Sequence, residues 1–230
     1  MKVVRGACSS GLLALLLVCE GCGNNYRPVA TPITPNPPNP AFIKAMFVIS
    51  DNGPQNSGTS SQIDVSGDTI SGVVKTGIGS VHALLTPDMN EVYVANRFED
   101  TISEFQPGAP TSSNLNPVTT ITLPPGSAPI FVTTTQNDRV YAANFGTGTV
   151  AAISTALNAV TQIIPLSLSV PKPEPVALAE TPNGSKLYVA NQASAAALGS
   201  VSSINPSDNS LNAPVSNSWS SPVWVVSRSD

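Results

Sequence analysis

The sequence predicts an all-β protein: a β-propeller of four-stranded antiparallel blades, with about four blades' worth of chain, either a small ring or part of a larger one. A six-residue motif recurs at near-constant spacing, and each copy has the same short β-rich runs and turns around it. No helical periodicity lies between the copies. Residues 91–96 read Glu-Val-Tyr-Val-Ala-Asn, 139–144 read Arg-Val-Tyr-Ala-Ala-Asn, and 186–191 read Lys-Leu-Tyr-Val-Ala-Asn. A weaker copy occupies 45–50, where Phe47 replaces the tyrosine. The aromatic positions 47, 93, 141 and 188 fall 46 to 48 residues apart, and a fixed period of this size marks a repeat architecture.

In chain order, residues 1–22 read as a secretory leader. Lys2 and Arg5 supply a basic start, and the leucine-rich stretch 11–18 is too short to span a bilayer. Cys22 follows Gly21 and precedes Gly-Asn-Asn, which resembles the cleavage and acylation site of bacterial lipoproteins, although Glu20 and Cys19 depart from that pattern. Cys22 is therefore the expected lipidation site. Residues 23–40 are a proline-rich tether, extended and semi-rigid. All three cysteines lie in the leader, so the fold is expected to rest on its core without disulfides or thiolate-bound metal.

Residues 41–230 are expected to form the repeats, in units of about 41–79, 80–127, 128–173 and 174–220, with a closing strand at 221–230. Each unit begins with an apolar run (81–85, 130–134, 176–179) and a turn rich in Thr, Pro, Asp, Asn and Gly. The tyrosine strand follows, then a third run and a more variable fourth. Val92, Tyr93, Val94 and Ala95 are apolar in succession, so both faces of that strand need cover, as between two blades. The insertions 51–61 and 106–116 read as surface loops. The first unit has no leading strand, whereas 221–226 match one. Residues 222–227 are therefore expected to pair with 46–50, within one ring or across a dimer.

The Tyr-Val-Ala-Asn strand after a Thr-Pro-Asp or Thr-Pro-Asn-Gly turn resembles the YVTN family of propeller repeats. Residues 86–96 and 181–191 carry the resemblance, and 135–144 depart from it in the turn. The repeat-motif residues are Tyr93, Asn96, Tyr141, Asn144, Tyr188 and Asn191. The resemblance implies a secreted or surface protein; related seven-bladed propellers include lactonases acting on sugar lactones. Those have more blades than this chain supplies, which points to a partial gene product or to two chains sharing one ring.

Removal of Lys2, Arg5 and Glu20 with the leader leaves 8 basic and 13 acidic residues, net −5, with no basic run. That argues against nucleic-acid binding. Aligned leading strands place His82, Phe131, Ala177 and Trp224 at one position facing the channel. His82 is the only histidine; a packed or surface role is favoured over that of a general base. Neither metal nor cofactor is expected. The primary reading is a non-enzymatic binding or scaffold protein in a periplasmic or cell-surface location, held to the membrane only by a lipid anchor. Its expected partner is a protein or glycan, with a homodimer completing the ring as a further option. The alternatives are a lactonase-like hydrolase and a truncated, non-functional fragment. A Cys22→Ser variant should leave the detergent phase in which the parent chain partitions; if it stays there, the anchor lies elsewhere.

Overall fold

The computed structural model describes residues 45–108, 119–167, 172–192, 198–213, 215 and 219–228. The expected leader, Cys22 and the tether lie outside them. The described residues hold strands and no helix. β1 (Ala45–Ser50), β2 (Ser57–Asp64) and β3 (Thr69–Ile78) form a three-stranded antiparallel meander. β4 (Ser80–Leu85), β5 (Val92–Asn96), β6 (Thr101–Phe105) and β7 (Thr119–Thr122) form a four-stranded one. The third sheet comprises β8 (Pro129–Thr133), β9 (Arg139–Asn144), β10 (Thr149–Ser154) and β11 (Ala159–Pro165). The fourth comprises β12 (Glu174–Glu180), β13 (Leu187–Gln192), β14 (Ser200–Asn205) and the short β15 (Ser210–Leu211).

The sheets stack face to face because their second strands are apolar on both sides. Val92 and Val94 face the first sheet, where they pack with Phe47, Ile49 and Val74. Tyr93 and Ala95 face the third sheet and meet Val132, Val140 and Ala142. The same alternation continues one sheet on, where Tyr141 and Ala143 meet Leu178, Leu187 and Val189. Each large side chain so buried contributes about 1.5–3 kcal/mol. First strands lie beside one another, β4 by β8 and β8 by β12. They form the inner edge of the stack.

Each tyrosine also carries a hydroxyl into the interface, and the next sheet receives it. Tyr93 Oη shares its one proton between Glu91 Oε2, beside its own strand at 2.8 Å, and Asn158 Oδ1 of the next sheet at 2.9 Å, while Tyr141 Oη donates to Asn209 Oδ1 at 3.0 Å. Asn158 and Asn209 sit at positive φ, 46° and 56°, in the turns joining third to fourth strands. Asparagine tolerates that conformation better than most side chains. Burial pushes the Tyr93 hydroxyl pKa up strongly and that of Tyr141 up to about 12, so both remain donors.

Two expectations need correcting. Residues 57–61, read as part of a polar loop, are strand, because β2 is held between β1 and β3. Pairing overrides the weak strand preference of Gly and Ser. Within a single chain residues 222–227 do not pair with β1: among the described residues the first sheet has three strands. The segment instead follows the fourth sheet, with Pro222 against Gly199 and Val225 packed against the cluster that contains Leu178 and Ala190. It takes the place that a leading strand takes relative to the sheet before it.

A buried carboxylate ties the third sheet to the fourth. Glu180 accepts from Arg139 Nη2 at 2.8 Å and Nε at 3.2 Å, and from Thr135 N at 2.7 Å. Arg139 also donates to the carbonyl of Gly184, whose φ of 66° suits glycine. Removing one partner leaves the other charge buried. Arg139→Ala should therefore lower unfolding free energy by on the order of 3 kcal/mol, read by urea titration; Glu180→Gln in the same background should recover part of the loss.

Candidate functional site

The inner edge is the one place where leading strands from different sheets bring aligned side chains together. His82 on β4 stacks on Phe131 of β8, with ring centroids 3.9 Å apart and planes 27° from parallel. Trp224 meets Phe131 edge-on, with ring centroids 5.3 Å apart. Ala177 on β12 is fully buried beneath this row. Three of the four aligned positions thus form a short aromatic row whose far end, Trp224, is 63% exposed.

His82 is held by the fold. Its Nδ1 accepts a long 3.4 Å hydrogen bond from the Val132 backbone N–H, which leaves the neutral ring's proton on Nε2. Burial lowers its pKa below the ordinary 6.5. Such a ring offers a flat face and one N–H. Among the described residues, no group of three or more His, Cys, Asp or Glu could hold a metal ion.

The motif asparagines lie at the same end of the sheets, one register step from this row. Asn96 Nδ2 donates to Thr101 Oγ1 and Ser103 Oγ, Asn144 Nδ2 to Thr149 Oγ1, and Asn191 Nδ2 to Ser200 Oγ and Ser202 Oγ. They clip the second strand to the third. Ser80 Oγ also donates to Asn96 Oδ1 at 2.9 Å. Its register counterparts are Pro129 and Pro175, opposite Asn144 and Asn191. Proline has no donor to offer, so Asn144 Oδ1 and Asn191 Oδ1 are buried without a partner.

No family model matches the chain, and no curated protein matches it. Solved structures do. The WD40 domain of Toxoplasma gondii coronin aligns at a TM-score of 0.57 and 13% identity, over 75% of this chain and 43% of that one. A putative 6-phosphogluconolactonase from Bacteroides uniformis aligns at 0.55 and 16%, over 77% and 55%. The Pseudomonas aeruginosa periplasmic gluconolactonase aligns at 0.52 and 16%, over 73% and 52%. The fold is a β-propeller. This chain spans about half the length of these three propellers, and identities this low speak for fold alone.

Within the propeller, the sequence-predicted site residues divide by role. Tyr93, Asn96, Tyr141, Asn144 and Asn191 build blade interiors and interfaces; Tyr188 is only half-buried, since no described sheet follows it. His82 reaches the inner edge, and Cys22 is outside the described residues. Sequence reading gave no interface role to the carboxylates Glu104 and Glu180, each about 1% exposed. Glu104 accepts from Asn158 Nδ2 at 3.3 Å, and burial raises its pKa. Neither residue recurs at the repeat period, so no pattern marked them. The hydroxyl acceptors Asn158 and Asn209 were legible only as turn residues.

The unfolded chain protonates His82 near pH 6.5, whereas the folded chain resists. Stability should be undiminished above that pH and fall as the pH drops below it, because the unfolded state then binds more protons. His82→Phe should flatten this limb between pH 5 and 7 in denaturant titrations. Equal slopes in parent and variant would show that His82 does not drive it.

Proposed function

We propose that this chain is an extracytoplasmic YVTN-type propeller, lipid-anchored through Cys22, that works as a non-enzymatic binding or scaffold module. One observation carries the reading: the ionisable groups inside the stack are engaged in holding it together. His82 is stacked and accepts a backbone hydrogen bond. Glu180 is saturated by Arg139 and Thr135, and Glu104 lies at the interface of the second and third blades. General acid–base work needs a group within reach of a substrate proton and free to exchange it. The aromatic row ending in exposed Trp224 offers a flat apolar surface suited to a sugar ring or a peptide side chain.

The leader-like sequence of residues 1–22 supports export, and the net negative charge of the remainder fits a partner other than nucleic acid. The competing reading, a lactonase-like hydrolase, draws on neighbours whose names include gluconolactonase. A panel of sugar lactones should show no turnover that depends on His82. Hydrolysis by the parent chain that disappears in His82→Ala would replace the scaffold reading with the enzymatic one.

A further inference from the structure

The first and last blades each present half of an interface that the middle blades complete. Where a blade precedes, the residues facing it are buried: Val92, Val94, Val140, Ala142, Leu187 and Val189 are all at 0–1% exposure. Their counterparts on β1, Met46 and Val48, are 56% and 42% exposed, and on the same face of β3 Ile70 and Val73 are 66% and 45%. At the other end, Tyr188 is half-buried. Its hydroxyl has none of the turn acceptors that Tyr93 and Tyr141 reach.

The first blade carries the missing acceptor. Its turn 64–69 repeats the turn 205–210: Asp64 Oδ1 accepts from Ser66 N and Oγ as Asn205 Oδ1 does from Ser207 N and Oγ. Asp68 then stands where Asn209 and Asn158 stand, at the same positive φ, 49° against 56° and 46°. The one repeat with Phe47 in place of tyrosine faces the second blade, whose third and fourth strands are joined through the long insertion and not through this turn. The hydroxyl therefore accompanies the turn. Tyr188 matches a turn of the 64–69 kind.

The strand count points the same way. Among the described residues, β1 has no partner on the side where every other second strand holds a leading strand. Residues 222–227 hold the sequence pattern of a leading strand but are paired with no described strand, and Trp224 and Val226 are 63% and 77% exposed. Within one chain these two segments are not paired. We propose that two copies of this chain assemble head to tail. Tyr188 of each copy donates to Asp68 of the other, and residues 222–227 of each complete the other's first blade, giving a two-chain ring of eight blades. Eight lies within the usual range for propellers, and a two-chain ring of this kind leaves neither half-interface open. The register of the other blades pairs Trp224 with Ile49, Val225 with Val48 and Val226 with Phe47. This inference goes beyond the binding reading and does not depend on it.

The full chain in detergent should have the protein mass of two chains by light scattering. Val48→Asp and Tyr188→Asp change residues that are exposed or half-exposed in the single chain, so each should retain the parent's circular dichroism while running as a monomer. Mixing the two variants should restore a dimer, because one of the two interfaces then joins unaltered faces. A monomeric parent would overturn the proposal, whether the faces are covered by residues 1–44, by further blades or by another protein. An open series of larger assemblies would overturn the closed ring. Dimers that survive both substitutions, or variants that fail to complement, would overturn the head-to-tail arrangement.

Discussion

The structure depends on a strand that is apolar on both faces. A run such as Val-Tyr-Val-Ala cannot expose either side without placing several large side chains in water, so no sheet containing it is stable alone. Stacking is the solution, and it must continue for as long as such strands recur. The buried tyrosine sharpens the demand. Its ring supplies apolar area, but its hydroxyl needs an acceptor inside the interface, because an unpaired buried hydroxyl costs about 1–3 kcal/mol. The Asn158 and Asn209 turns meet that need, and so fix the register of each blade on the next as well as its proximity.

Polar groups in the interior serve the same end. The motif asparagines clip second strands to third, while Glu180 and Glu104 join neighbouring blades. The leading strands are freer, since one of their edges faces the axis of the stack. That freedom lets one aligned position hold histidine, phenylalanine, alanine and tryptophan in turn.

The repeat made most of the architecture legible. Period, turn residues and two-faced strands identified the stacked meanders and the second strands that would be buried, and aligning the leading strands placed His82 beside Phe131 and Trp224. What stayed hidden was non-periodic. Glu104 and Glu180 occur once each, and their roles follow from which blade happens to lie opposite. β2, rich in Ser and Gly, has little strand preference of its own and becomes strand through its partners on both sides.

The sequence by itself determined the unit: how the strands repeat, which strand is sandwiched, and where most of the turns fall. These follow from local periodicity and turn chemistry, properties of neighbouring residues. Only the tertiary structure decided how the units end. That residues 222–227 look like a leading strand was readable from Pro-Val-Trp-Val. That they lie against the fourth blade, while one edge of β1 has no described partner strand, depends on the accumulated rotation of four blades. No local pattern encodes that sum, because each interface adds its own small angle and the chain ends meet only if the total closes.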